Sequence, residues 1–586
     1  MTLLLALLMA ASPSLDDRRK ALNDLLADEW EYVMRTHPEF ASYLGDKRYN
    51  DKLSDHSEAA ILRDIDKGKE YIARLKAIDT TGFPEQEQFN HDLLLRQLEE
   101  EQQGVRFKDW EMPVTQFGGI HIDSPQFITV LSFETVKDYD DFISRMHQLP
   151  KAFDQTIDLM RKGMKDGLMP PKILLEQVVS QADKLASQKP EESPFFQPAN
   201  KMPASFSDAD KKRLHDALLA AVRDEVLPEY KKFTAFVRDE YAPKGRAEPG
   251  LWALPDGAAR YAYAVEQATT TKMTPEEIHQ IGLREVAKDR AAMLEIAKKM
   301  GFKDCKSFEA SIAKNPALHP KSREEILENY RKYVDAMWKK LPQYFGTLPK
   351  ANVEVMPVEQ FREKEASGAQ YEGGTPDGKR PGHIKVNTGD YQNRTTLDQE
   401  TTAYHEGVPG HHLQITIAQE TKDLPPFRQH GFYIAYIEGW ALYSEQFGVD
   451  AGFFQDPYNM YGHLQDDLLR AIRLVADTGY HYKKWSRQQV VDYFHDNSGI
   501  DEVEVQSETD RYMAWPAQAL GYKVGQLALL SMREKAKKEL GPRFDIRAFH
   551  DEVLTAGALP LDVLEKRVDA WAARTKAGGP PNAVLR

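Results

Sequence analysis

Apolar residues recur at helical spacing along most of this chain. Leu15, Leu22, Leu25, Leu26 and Trp30 open the pattern, and Ser14 with Asp17 predicts a capped helix starting near residue 15. Further amphipathic stretches predict helices at about 55–77, 84–103, 135–165 and 207–239. Gly- and Pro-rich loops separate them, among them 117–125, 168–171 and 189–206. Thr274-Pro275-Glu276-Glu277 places a capping threonine, a proline and an acid at the start of a helix expected to run to about Met300.

After Pro342 the pattern changes. Residues 352–356 and 383–387 alternate polar and apolar, as half-buried strands do, with a turn-rich loop at 371–382 between them. A small sheet is expected there, able to hold a peptide backbone by strand addition or to be a plain surface hairpin. Helices are then expected at 431–448, 457–478, 487–497, 510–539, 545–556 and 560–575. The organisation predicted is a signal segment at 1–14, a helical region at 15–342, a region with sheet and helices at 343–577 and a tail at 578–586.

Composition narrows the function. The net charge of −14 argues against a nucleic-acid partner, and 41% hydrophobic residues suffice for a large core. The single cysteine, Cys305, excludes a disulfide framework and a cysteine zinc cluster. MTLLLALLMAASPS reads as an export signal, which predicts a periplasmic or secreted protein, and no later stretch is long enough to span a membrane.

The chemistry concentrates in TTLDQETTAYHEGVPGHHLQ, residues 395–414. His405 is followed by Glu406, and His411 and His412 come soon after. Imidazoles with an adjacent glutamate form the usual signature of a zinc hydrolase, in which the carboxylate handles the water proton. The spacing is unusual. On a straight helix His405 and His412 would stand about 10 Å apart along the axis, and His411 would point elsewhere. Zn–N bonds are only about 2.0–2.1 Å, so the helix must break between the histidines. Pro409 cannot donate to the carbonyl of His405, and Gly407 and Gly410 tolerate unusual backbone angles. Either His411 or His412 serves as the second ligand.

A catalytic zinc needs a third protein ligand. Glu438, in Tyr436-Ile437-Glu438-Gly439-Trp440, lies after the loop at 423–426, where a second helix can fold back. Gly439 costs about 1 kcal/mol in a helix interior, which a close approach to the metal helix would explain. Glu445 is a candidate to hydrogen-bond a ligand histidine, or is a solvated glutamate.

HEGVPGHHLQ followed by EGWALYSE resembles the bacterial domain-of-unknown-function family 885. The resemblance extends to HPEFASYLGD at 37–46, DGKRPGHIKVNT at 377–388, RYMAWPAQALGYKVG at 511–525 and FDIRAFHDEVLTAGALPLDVL at 544–564. The family looks like a distant relative of helical zinc peptidases such as thimet oligopeptidase and angiotensin-converting enzyme. That implies a mainly α, multi-helix fold with a deep channel and a small sheet near the metal. It favours His411 over His412. It also directs attention to 511–525, a helical stretch interrupted by Pro516 and Gly521, where Tyr522, or else Tyr512, would stabilise an oxyanion and Arg511 would bind a substrate carboxylate.

The leading expectation is an exported Zn²⁺-dependent peptidase acting on short peptides. His405, His411 and Glu438 would be its ligands and Glu406 its general base. The alternatives are a non-catalytic exported peptide-binding protein of the same fold, with the histidines held too far apart, and a metal-dependent hydrolase of another amide or ester.

Overall fold

The computed structural model describes residues 13–579, apart from 359, 361–362, 364–366 and 376–379. All but two residues of the expected signal segment lie outside the described residues, as do all but two of the tail. The chain is mainly helical with one small sheet.

Ser14 and Asp17 form a capping box on the helix Leu15–Thr36, as their spacing predicts. Two expected helices are interrupted by proline. The 135–165 stretch is Val136–Met146 followed by Leu149–Asp166, because Pro150 has no N–H for the carbonyl one turn back. The 207–239 stretch stays helical but widens into π turns at Val222–Val226 and Val237–Tyr241, just ahead of Pro228 and Pro243.

Helix α1 (Pro275–Lys299) carries the Thr274/Glu277 capping box. The sheet follows: β1 (Val353–Pro357), β2 (Ala369–Glu372) and β3 (Gly382–Val386), in the order β1-β3-β2. β1 runs parallel to β3, with Val355 opposite Ile384, and β2 runs antiparallel, with Tyr371 opposite Ile384. Strand β2 corrects the expectation of a loop from residue 371. It is four residues long, too short to display an alternating pattern.

Seven more helices complete the surroundings of the histidine cluster: α2 (Gln399–Glu406), α3 (His411–Glu420), α4 (Ile434–Asp450), α5 (Pro457–His481), α6 (Glu502–Ala514), α7 (Leu520–Leu540) and α8 (Ile546–Leu554). The single helix expected at 510–539 is the pair α6 and α7. The chain breaks at Trp515-Pro516-Ala517, where Ala517 takes φ 67°, while Gly521 remains helical. Helix α6 starts earlier than expected because Asp501 caps it through Val503 N and Glu504 N. Its first turns read Glu-Val-Glu-Val, an alternation that hides a helix.

Helix α1 lies along α5, where a Cβ on Gly282 would come within 2.8 Å of Leu474 and Val475. Helix α4 packs on α7 still more closely. A Cβ on Gly439 would lie 2.5 Å from the Cα of Gly525. The close approach that Gly439 permits is therefore to α7, not to the histidine-bearing helices as its position suggested. Trp440, Tyr443 and Phe447 continue α4 into the core beside Phe345 and His550. Among the described residues no helix is long and apolar enough to cross a membrane.

Candidate metal centre

Helix α2 ends at Glu406 and α3 begins at His411, with the turn Gly407-Val408-Pro409-Gly410 between them. The Val408–Pro409 peptide is cis. Gly410 N donates to Tyr404 O at 3.0 Å, and Trp440 Nε1 donates to Pro409 O at 2.8 Å. A Cβ on Gly410 would stand 2.0 Å from His405 O, so no side chain fits there. The turn replaces the helical separation of the two histidines by direct contact: their ring centroids are 4.9 Å apart and the planes perpendicular.

Glu438 reaches this pair from the first turns of α4. Its Oε2 lies 3.5 Å from His405 Nε2 and 3.4 Å from His411 Nε2. One ligand atom from each of the three residues falls within 4.8 Å of the others. Hydrogen bonds of this type are 2.7–3.2 Å, and Glu438 Oε2 has no hydrogen-bond partner among the described residues although it is buried. Two atoms bound to one tetrahedral zinc at about 2.0–2.1 Å stand about 3.3 Å apart. The separations therefore match ligands around a cation better than partners in a hydrogen bond. The donor set, two imidazoles and a carboxylate, also suits zinc.

The charges agree. Burial works against the ionised form of Glu438, yet His411 and His405 hold its carboxyl well below the usual carboxylate range. Burial also works against a charged His405, but Glu438 and Glu445 push the imidazole up to about 10.

Glu445 is fully buried and accepts from His405 Nδ1 at 2.7 Å. Its other oxygen accepts from Thr401 Oγ1 at 2.7 Å. A carboxylate on Nδ1 leaves Nε2 facing Glu438, the usual support of a metal-binding histidine. Thr401 lies one turn before His405 on α2 and 3.2 Å from His463 Nδ1 on α5.

His412 does not join the cluster. Its Nδ1 lies 3.0 Å from the Tyr371 hydroxyl on β2, and Nε2 donates to Ala351 O at 3.1 Å. Both ring nitrogens are engaged, and burial lowers the imidazole to about 4. This neutral histidine ties α3 to the sheet. The alternative that made it a ligand is thereby corrected. Glu406 closes α2, next to His405, and is 9% exposed. It is not one of the three clustered donors.

The tyrosines of the 511–525 stretch part ways. Tyr522, on α7, accepts at its hydroxyl from Arg511 Nη2 at 3.0 Å, so its own proton stays uncommitted. Gly525, one turn on, touches Gly439 beside Glu438. Tyr512 is fully buried and donates to Glu508 Oε2 at 2.6 Å. Its proton is used inside the core, which speaks against its expected oxyanion role. Arg511 gives Nη1 to Glu508 and Nη2 to Gln518 and Tyr522, so it cannot offer a free two-pronged face.

Sequence reasoning missed Thr401, His463, Arg470, Arg473 and Glu508. A signal existed. His463, Asp467, Arg470 and Arg473 recur at helical spacing along α5 on positions that prove buried or nearly so, and polar groups on a buried face need partners.

Fold and site together define a mainly helical protein that gathers a His-His-Glu cluster between a broken helix and its neighbour. The chain belongs to the family described as bacterial proteins of unknown function (DUF885), whose model matches residues 38–568. A crystal structure of a candidate lipoprotein from Colwellia psychrerythraea is 30% identical, with a TM-score of 0.91 over 95% of this chain and 100% of that one. A candidate lipoprotein of unknown function from Shewanella oneidensis, 18% identical, shares the fold with a TM-score of 0.67 over 95% and 99% of the two chains. No curated protein matches.

Proposed function

We propose that the protein is an exported zinc-dependent peptidase that hydrolyses short peptides. The observation that carries this reading is the spacing of His405 Nε2, His411 Nε2 and Glu438 Oε2, with Glu445 fixing His405 from behind. The lipoprotein descriptions of the two structural relatives support export. Resemblance to helical zinc peptidases supports the peptide substrate. The binding-protein alternative needs histidines held apart, and a ring separation of 4.9 Å speaks against it.

His405, His411 and Glu438 would hold the ion. Zinc bound there supplies a Lewis acid that polarises a carbonyl and lowers the pKa of water. Glu406 takes a proton from the attacking water and passes it to the departing amine. The Tyr522 hydroxyl donates its free proton toward the carbonyl oxygen as charge develops there. Glu445 keeps the proton on His405 Nδ1, which fixes the tautomer throughout.

Elemental analysis should find about one zinc per chain in the wild type and little in His405→Ala. Equal zinc in both would refute the site. A peptide-library digest with and without chelator tests the activity, which should vanish with chelator.

Glu445→Gln should weaken zinc binding by about 10–100-fold, the usual cost of losing the carboxylate behind a ligand histidine. Competition against a chromogenic chelator measures it, and unchanged affinity would remove Glu445 from the site.

A further inference from the structure

Two arginines lie against Tyr522, and a third sits close by in sequence on α5. The Arg473 guanidinium lies 4.6 Å over the tyrosine ring, and that of Arg511 lies 5.7 Å away while Nη2 bonds the hydroxyl. Arg470 sits one turn before Arg473 on α5, and its charge is felt by both Tyr522 and Glu445.

Their partners do not use them up. Glu508 takes Arg473 through Nε and Nη2 at 2.8 and 3.0 Å, and Arg511 Nη1 at 3.1 Å. Arg470 pairs with Asp466 at 3.3 Å. Yet Arg470 Nε, Arg473 Nη1 and Arg511 Nε are all buried with no acceptor among the described residues. An unmade hydrogen bond from a buried charged group is costly, and each of these three arginines carries one.

The acids nearby differ in charge, and Glu445 is an anion whose field reaches Arg470. Burial pushes Asp466 up to about 7 and Glu504 up to about 8, so near neutral pH neither is a firm anion. Glu508 is the firm anion shared by Arg473 and Arg511, which hold it below the usual carboxylate range against the effect of burial. Trp515 is 40% exposed, and the Arg511 guanidinium lies 5.9 Å from its ring.

We infer that Arg473 and Arg511 against Tyr522, with Arg470 one turn before Arg473, form a subsite for a carboxylate of the ligand, with Trp515 at its entrance. Guanidinium N–H groups in a water-poor setting recognise carboxylates strongly. The carboxylate is a peptide C-terminus or an acidic side chain. This deepens the peptidase reading: it sets which peptides are accepted. It also departs from the expectation that Arg511 clasps the carboxylate alone, since both its Nη atoms are engaged within the protein.

Three probes separate the possibilities by calorimetry: N-acetyl-phenylalanine, N-acetyl-phenylalaninamide and N-acetyl-glutamic acid α-amide. At least one acid should bind wild type about tenfold or more tighter than the neutral amide. Preference for the first assigns the C-terminus, and preference for the third the side chain. The preference should persist after chelation and be lost in Arg511→Gln, with Arg511→Lys keeping part of it. Should Arg511→Gln fail to fold, the chelated wild type decides alone. Three results overturn the subsite: no preference, a preference that survives Arg511→Gln, or one that disappears on chelation, which would put the carboxylate on the metal. Failure of the peptidase reading looks different. The acid would still bind selectively while no peptide is cleaved.

Discussion

Replacing Glu406 by glutamine is expected to reduce peptide hydrolysis by about 10²–10⁴-fold, the range that general-base assistance contributes. Zinc content and melting temperature should stay near wild type, because Glu406 is outside the three-donor cluster. Glutamine keeps the size and most of the hydrogen-bonding shape of glutamate, but it cannot accept the proton. Glu438→Gln makes the contrast. It removes the charge that sits 3.4–3.5 Å from both imidazoles, so it should lose metal together with activity. The pair of variants separates a proton-transfer role from a ligand role, using a peptide that the library digest identifies. Wild-type turnover by Glu406→Gln would end the proposed mechanism. A wild type that binds zinc and cleaves nothing would return the argument to a binding protein.

The geometry of the His-His-Glu cluster was partly legible in the chain, and the reason is local. His405, Glu406, Pro409 and His411 lie in one short run, and a proline with flanking glycines announces a broken helix wherever it occurs. That a break was required followed from the size of the ion alone. Which histidine turned inward did not follow. The choice depends on Tyr371 and Ala351, which take both nitrogens of His412, one from strand β2 and the other from just before β1. Glu438 could be found because a ligand must come from a helix returning after a loop. Glu445 was a harder case, since a helical glutamate in a sequence is normally solvated. Only burial against Thr401 and His405 separates it from such a residue.

Gly439 shows the limit most clearly. A glycine inside an apolar helix signals a close neighbour, and that much was readable. The identity of the neighbour was not, because Gly525 lies on another helix far along the chain and nothing local connects the two. The same holds for the arginines of α5 and α6. Nothing local links Arg473 of α5 to Arg511 of α6, and only the fold puts both against Tyr522.

The contact between the two glycines gives the other large expected effect. A Cβ on Gly525 would stand 1.9 Å from Ala435 O and 2.7 Å from the Cα of Gly439, and neither is the end of a flexible side chain. Gly525→Ala must therefore push α4 away from α7. Overpacking of this kind costs about 1–3 kcal/mol, and contact with main-chain atoms places the cost at the upper end or beyond. The displacement also carries function. Glu438 is next to Gly439 on α4, and Tyr522 is one turn from Gly525 on α7, so a shift between these helices moves a metal ligand relative to the proposed oxyanion donor. Denaturant unfolding should show a lower midpoint for Gly525→Ala, and chelator competition should show weaker zinc binding. Gly373→Ala is the control, because its Cβ would meet nothing nearer than 3.8 Å and should leave both quantities close to wild type. If Gly525→Ala were as stable as Gly373→Ala and held zinc equally well, the two helices would not be in the contact that places Glu438 beside the histidines.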